Sequence, residues 1–247
     1  MLVVWDAADE LPGLAGELGH LLDSEPYQFV ARAPGLGRGR AQPDWRTELA
    51  PGLQAAELVL AAVGRPTDRI GYLIGHALGL GRAVALLQDA GAPRRWLEES
   101  ALAGLPATRG WSFDRLVECI LSGRAAAVRA PLRRGSETLL LAPSADLSGA
   151  GRSGFEGWRL PPEGALDLRE PELLNGAGRV AWLGSETPDA RSVGLAGLAG
   201  FAAARGLPVT HLMRSASAAA PDLGLPVSAL RGGTADLARE LAAALGP

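Results

Sequence analysis

The chain has 247 residues, of which 47% are hydrophobic and 21% charged, so it has enough apolar material for one sizeable core or for two fused halves. Its net charge is -3, with 24 basic residues (all arginine) against 27 acidic ones. This balance gives no reason to expect nucleic acid or an anionic membrane surface as a partner. A single cysteine excludes an internal disulfide.

The N-terminal segment is acidic and lacks the basic region of a signal peptide. No apolar run reaches about 18 residues, the length that a transmembrane helix needs. We therefore expect a cytoplasmic protein that makes no membrane contact.

Short apolar runs alternate with helical patterns, which predicts an α/β fold with a largely parallel or mixed sheet. The predicted strands are 2–5, 27–31, 69–75, 137–142, 178–183, 208–213 and 226–230. The predicted helices are 11–22, 49–63, 82–89, 119–133, 191–205 and 234–245, with a short strand or turn at Trp96. A stretch rich in glycine and proline at 149–175 predicts a boundary that divides the chain into 1–155 and 156–247.

One motif is similar to the nucleophile elbow of α/β-hydrolases and thioesterases. Gly75–Gly79 reads GHALG, with alanine at the nucleophile position. The predicted strand before it and the helix after it match the strand–turn–helix that an elbow requires. However, a methyl group cannot attack a carbonyl, and the first histidine after Asp146 is the distant His211. The motif leaves open a pseudo-thioesterase or interaction module with an α/β-hydrolase fold.

A second set of motifs follows in order over roughly residues 30–240. It comprises ARAPGLGRGRAQPD at 31–44, the segment 49–75, SFDRLVEC at 112–119, TLLL at 138–141, NGAGRVAWL at 175–183, VTH at 209–211 and GGT at 232–234. Together they resemble the β-ketoacyl-ACP synthase III branch of the thiolase superfamily. Cys119 stands where that family keeps its acyl-accepting cysteine, and His211 where it keeps a catalytic histidine.

The resemblance implies a thiolase-like αβαβα fold of two pseudo-repeated halves, the second of them truncated. Cys119 would carry the acyl group as a thiolate favoured by a helix N-terminus. His211 would assist decarboxylation or hold the thioester carbonyl. The substrate would be a thioester of CoA or of acyl carrier protein, with no permanently bound cofactor and no metal.

Several features depart from the family's pattern. The chain is shorter than usual, and Gly233 stands where the family has an oxyanion-binding asparagine. Glu118, beside Cys119, disfavours a thiolate. The cysteine also fits a small buried apolar residue, and His211 fits a strand-end histidine with no chemical task.

These departures favour a non-catalytic subunit over an active enzyme within the ketosynthase III-like class. We expect a protein of polyketide or fatty-acid-type metabolism that acts as a non-catalytic or specificity subunit, dimerised with a full-length ketosynthase and possibly visited by acyl carrier protein. The alternative is an active acyltransferase or condensing enzyme that uses Cys119.

Overall fold

The computed structural model describes residues 2–4, 44–88, 95–109, 114, 118, 121–122, 131–143, 158–162, 166–168, 172–185, 187–214, 223–230, 240 and 243. Within these ranges the chain forms two parallel β-sheets, with a pair of helices packed between them. The prediction of an α/β fold is thereby confirmed.

The first sheet has four parallel strands in consecutive order. They are β1 (Leu2–Val4), β2 (Leu58–Val63), β3 (Ala83–Gln88) and β4 (Ala107–Arg109). Every residue of β2 is buried. Continuous burial of this kind is usual for a central parallel strand that is covered on both faces.

The second sheet has five parallel strands in the order β6-β5-β7-β8-β9. They are β5 (Glu137–Leu141), β6 (Trp158–Arg159), β7 (Ala177–Leu183), β8 (Val209–Met213) and β9 (Val227–Ala229). This order is common in doubly wound sheets. From β5 the chain adds β6 on one side, and then adds β7, β8 and β9 on the other side, so the strand order reverses between β5 and β7. The last strand of the first sheet ends at Arg109, and the first strand of the second sheet begins at Glu137. The chain therefore passes from one sheet to the other upstream of position 155/156, where the sequence predicts the boundary.

The described helices connect these strands. They are α1 (Ala50–Ala55), which continues a π-helical turn at Trp45–Leu49, then α2 (Asp68–Gly79), α3 (Arg95–Glu98) and α4 (Ala190–Ala204), and a 3-10 turn lies at Glu172–Leu174. Helix α2 contacts β2 and β3, whereas α4 contacts β5, β7 and β8. The two longest described helices therefore form the layer between the sheets.

Helices α2 and α4 run parallel and touch through their backbones. Gly71, Gly75 and Gly79 recur every four residues and share one face of α2. A Cβ on Gly71 would overlap the carbonyl oxygen of Val193, and one on Gly75 would overlap that of Gly197. Because the contacts advance by four residues on both helices, the helices point the same way, and side chains larger than hydrogen do not fit between them.

The two central helices also end in the same way. Gly81 and Gly206 follow them with φ of 71° and 74°, a backbone conformation that glycine adopts without steric cost. At both ends the glycine N–H donates to the carbonyl three residues back, and the next N–H donates to the carbonyl five residues back. These are the bonds of a Schellman motif. The units β2-α2-β3 and β7-α4-β8 are therefore built alike.

Three consecutive predictions are wrong. The predicted helix 49–63 ends as α1 at Ala55 and continues into strand β2, and the predicted strand 69–75 lies inside α2. The predicted helix 82–89 contains strand β3. Helix α2 is buried along its whole length after Asp68, and a short apolar run such as 69–75 cannot be assigned to a buried strand or a buried helix from its pattern alone. Trp96 lies in the short helix α3 rather than in a strand or turn.

The remaining predictions divide into two groups. Strands β1, β5, β7, β8 and β9 and helix α4 confirm the segments predicted at 2–5, 137–142, 178–183, 208–213, 226–230 and 191–205. The predicted elements 11–22 and 27–31 lie outside the described residues. Of the predicted helix 119–133, residues 121 and 122 are helical, whereas 131–133 are not, so its predicted end is wrong; residue 118, just before it, is also helical. In the predicted helix 234–245, the described residues 240 and 243 are helical.

Candidate functional site

The two residues predicted to be catalytic have different outcomes. Cys119 lies outside the described residues, and so does Gly233. Glu118, the neighbour of Cys119, is helical and exposed. His211 is described, and it lies in the middle of β8.

The GHALG segment is not an elbow. Gly75–Gly79 forms the last turns of α2, with no strand-to-helix turn, so the predicted hydrolase geometry is wrong. Ala77 is fully buried and His76 nearly so. Burial lowers the pKa of His76 to about 4, against the opposing effect of its hydrogen bond with the Gly200 backbone. The segment packs the helix pair together and presents no group for attack.

His211 is a neutral, buried histidine. Only 3% of its surface is exposed, and burial lowers its pKa to about 4. Its ring stacks on that of Trp182, the residue opposite it on β7, with centroids 4.2 Å apart and planes 10° from parallel. Its Nδ1 has no hydrogen-bond partner among the described residues.

Asp68 is the first residue of α2, directly after the N-cap Thr67. Its Oδ2 accepts a hydrogen bond of 2.7 Å from the backbone N–H of Ser185. Its Oδ1 is buried and lacks a partner within the described ranges. Burial raises the pKa of Asp68 to about 7, the hydrogen bond from the Ser185 backbone and the nearby Ser192 hydroxyl oppose that rise, and the charge of Asp189 adds to it. The Ser192 hydroxyl itself donates to the Asp189 carbonyl.

Gly184 lies between these two side chains. It follows the last residue of β7, and its N–H donates to the Leu212 carbonyl. A Cβ on Gly184 would lie 2.7 Å from Nε2 of His211 and 3.5 Å from Oδ2 of Asp68. The two side chains, one from each half of the chain, therefore face the same point. We call Asp68, Gly184, Ser185 and His211 the Asp68–His211 site.

The position of this site agrees with a general rule for parallel sheets. Ligands of doubly wound proteins bind beyond the carboxyl ends of the strands, where the strand order reverses. In the second sheet that place lies between β5 and β7. Gly184 and Ser185 follow β7 directly, whereas His211 lies on β8, so the Asp68–His211 site lies at the carboxyl end of β7 on the side away from β5.

Aromatic rings support the site from the core side. Tyr72 stacks on Trp182 at 5.9 Å and on His76 at the same distance. Trp45 meets both Tyr72 and His76 edge-on. Because Trp182 is itself held between Tyr72 and His211, the imidazole plane of His211 is fixed by packing.

Three of the four site residues were not predicted. Thr67-Asp68 after a buried strand is a typical helix start, since threonine caps and aspartate favours the first turn. The prediction of a strand at 69–75 concealed that signal. Gly184 and Ser185 follow the confirmed strand β7, and glycine at the carboxyl end of a parallel strand is the cue that would have pointed to them.

Comparison with known proteins adds no relative: no family model, no curated protein and no solved structure matches this chain. Within the described ranges, no three histidine, cysteine, aspartate or glutamate side chains are grouped to hold a metal ion. None of the helices described is both long and apolar enough to cross a membrane.

Proposed function

We propose that the chain binds a small polar molecule at the Asp68–His211 site. One observation carries the proposal: Oδ1 of Asp68 and Nδ1 of His211 are buried and have no hydrogen-bond partner among the described residues. Burying an unsatisfied polar atom costs roughly 1 to 3 kcal/mol. Two such atoms on adjacent side chains, at the carboxyl end of a parallel strand, fit a site that a ligand completes.

The protonation states suit hydrogen bonding rather than ion pairing. A neutral imidazole offers one donor and one acceptor. A carboxyl with a pKa near 7 is partly protonated at neutral pH, so it can donate or accept, and it can exchange a proton with a bound molecule. Asp68 is therefore the candidate proton donor or acceptor of the site, and His211 is a neutral hydrogen-bonding partner.

Ligand-observed NMR of the full chain with a library of sugars, amino acids, nucleosides and small carboxylic acids tests this function. We expect at least one compound to bind the wild type and to bind at least tenfold more weakly to both Asp68→Asn and His211→Leu. Glu99→Gln, a change at an exposed position directly after α3, is the matched control and should bind like the wild type. The proposal fails if no compound depends on Asp68 and His211 while both variants remain folded by circular dichroism.

The resemblance to β-ketoacyl-ACP synthase III supports a second proposal. In it the chain has a thiolase-like fold and serves as a non-catalytic or specificity subunit beside a full-length ketosynthase, or acts as an acyltransferase through Cys119 and His211. Two similar β-α-β units with their helices between two sheets support this proposal, because an αβαβα fold requires such a central helix layer.

Mass spectrometry after incubation with acyl-CoA tests the second proposal. A stable acyl adduct that is lost in Cys119→Ala supports the acyltransferase. No adduct on the isolated chain, together with condensing activity that appears only beside a second ketosynthase, supports the subunit. Neither an adduct nor any effect on a partner ketosynthase would rule out both forms.

A further inference from the structure

The first turns of α2 and α4 lie side by side at the Asp68–His211 site. Gly71, one turn after Asp68 on the same face of α2, touches the backbone of Val193 near the start of α4. Ser192 directly precedes Val193, and only 3% of its surface is exposed. The Asp68 carboxyl therefore lies beside the buried Ser192 hydroxyl, and this neighbour lowers the pKa of the carboxyl against the larger effect of burial.

The Ser192 hydroxyl has one proton and two acceptors within its reach. In the structure the proton is donated to the Asp189 carbonyl, over a distance of 3.0 Å. Oδ1 of Asp68 is buried and has no partner among the described residues. A hydroxyl group turns about its C–O bond to suit its partners. An ionised carboxylate is a stronger acceptor than a backbone carbonyl, so loss of the Asp68 proton shifts the preference of the hydroxyl toward Oδ1.

The N-terminal cap of α4 is kept when the hydroxyl turns. The Asp189 carbonyl also accepts the N–H of Val193, at 3.1 Å, so it retains a partner. The Asp189 N–H donates to Oγ of Ser192 at 2.8 Å, and the Ser192 N–H donates to Oδ1 of Asp189 at 2.7 Å. Neither of these two bonds uses the hydroxyl proton. The rotation therefore gives up one bond of a carbonyl that has two.

Ionisable groups from several elements border the Asp68 carboxyl. Asp189, which precedes α4, carries a like charge that raises the pKa of Asp68. His211, on β8, is buried and neutral. Arg69, the next residue of α2, is buried and has interactions of its own. Because no described group donates to Oδ1 of Asp68, the neighbouring Ser192 hydroxyl is the donor that the protein itself can supply there.

We propose that Ser192 is a positioning residue of the Asp68–His211 site, whose hydroxyl turns from the Asp189 carbonyl to Oδ1 of Asp68 when that carboxyl loses its proton. The carboxyl proton leaves to solvent or to a bound molecule, and Ser192 keeps its own proton throughout. This inference deepens the proposed function and rests on it for the role of the proton in binding. Its test needs no ligand, so the two proposals can fail separately.

Carbon-detected NMR of the full chain tests the inference by following the Asp68 carboxyl signal, identified by its loss in Asp68→Asn, as the pH is raised. We expect the titration midpoint in Ser192→Ala to lie about one pH unit above that of the wild type, because the ionised form loses a donor. Ser192→Thr keeps a hydroxyl and should restore the wild-type midpoint. Ser185→Ala is the matched control, since it removes a neighbouring hydroxyl but keeps the N–H that Asp68 accepts from.

A second measurement needs no change at Ser192. The Val193 N–H shares the Asp189 carbonyl with the Ser192 hydroxyl, so its signal should move downfield as Asp68 ionises and stay still in Asp68→Asn. Equal midpoints in the wild type and Ser192→Ala overturn the inference, and so do midpoints raised equally by Ser192→Ala and Ser192→Thr. If Ser192→Ala does not fold, a Val193 amide that ignores the Asp68 titration overturns it. The library experiment stands apart from all of these results.

Discussion

Asp68 lies in surroundings that disfavour its ionised form, because the carboxyl is largely removed from water. In the unfolded chain its pKa is near 3.8, and burial raises the pKa to about 7 in the folded chain. Between these values the folded chain holds a proton that the unfolded chain has released, so the free energy of unfolding falls as pH rises toward 7 and stays low above it. A residue kept at this cost, at the junction of two sheets, is a strong candidate for function.

Asp68→Asn should remove that pH-dependent cost. The asparagine oxygen can still accept the hydrogen bond from the Ser185 N–H, so the local geometry is retained. We expect the variant to be more stable than the wild type, with a gain at pH 8 that exceeds the gain at pH 5 by roughly 2 kcal/mol. Urea denaturation at the two pH values measures the difference. A gain of the same size at both would show that the carboxyl does not titrate in this range.

The buried histidines should change the free energy of unfolding with pH in the opposite direction. Burial lowers the pKa values of His76 and His211 from 6.5 to about 4, so the unfolded chain binds protons that the folded chain does not. The free energy of unfolding should therefore fall as pH drops from 6.5 through 4. His211→Leu should lose roughly 2 kcal/mol less than the wild type between pH 7 and pH 5. Equal acid losses in the two proteins, again measured in urea, would contradict this.

Gly184 allows the side chains of His211 and Asp68 to approach the same point, because it has no side chain of its own. Gly184→Ala places a methyl group 2.7 Å from Nε2 of His211, closer than Cβ atoms come to their neighbours in folded proteins, so the imidazole and the Gly184 backbone must move apart. We expect a loss of roughly 1 to 3 kcal/mol and a shifted His211 imidazole signal in NMR. Ser185→Ala is the control, because it keeps the N–H that Asp68 accepts from. An unchanged His211 signal in Gly184→Ala would show that the two side chains do not meet at this point.

Among the site residues, the sequence identified His211 through a family resemblance and missed the other three. Asp68 could not be placed because its contact with Ser185 joins positions 117 residues apart, and no local pattern shows such a pairing. Thr67 and Asp68 form a typical helix start, but the apolar run after them predicts a strand. Cys119 stays a prediction.

The sequence pattern predicts the secondary-structure elements correctly in the second half of the chain, but between residues 49 and 89 it predicts the wrong type of element. Helix α4 was identified from its small apolar residues, and β7 and β8 from short runs bounded by glycine and proline. Helix α2 was missed although it is equally central. Its glycines and β-branched residues have low helix propensity, and a short apolar run of this kind also fits a buried strand. Tertiary packing decided its structure.

The glycine face of α2 offers a direct test of that packing. Gly75→Ala raises helix propensity, yet its methyl group would overlap the Gly197 carbonyl oxygen, so we expect a net loss of at least about 1 to 3 kcal/mol. Gly52→Ala in α1 is the matched control, because its methyl group meets only the end of the Leu2 side chain, at 3.1 Å. Chemical denaturation compares the two variants, and a neutral or stabilising Gly75→Ala would disprove the close helix contact.

At the scale of the whole molecule, the two halves share one core. The main hydrophobic cluster contains residues of both sheets and of both central helices, among them Val59, Ile70, Leu139, Trp182 and Leu198. Neither half could keep its helix buried without the other. The paired β-α-β units are thus similar in construction but depend on each other for stability.

Unfolding should therefore be a single cooperative transition. Hydrogen exchange followed by mass spectrometry should give similar opening free energies for peptides that contain β2 and β8. Gly75→Ala should lower both together, since it acts on the layer that the two sheets share. Loss of protection in only one of the two peptides would mean that the halves open independently.

The close contact of α2 with α4 has a further consequence for chemistry. Asp68 begins one of these helices, and Ser185, which holds it, precedes the other. Since no side chain separates the two backbones at Gly71 and Gly75, one helix cannot slide along the other without a collision. The glycine spacing thus fixes the position of α2 along α4. It thereby fixes the distance between the Asp68 carboxyl, at the start of α2, and the His211 imidazole on β8.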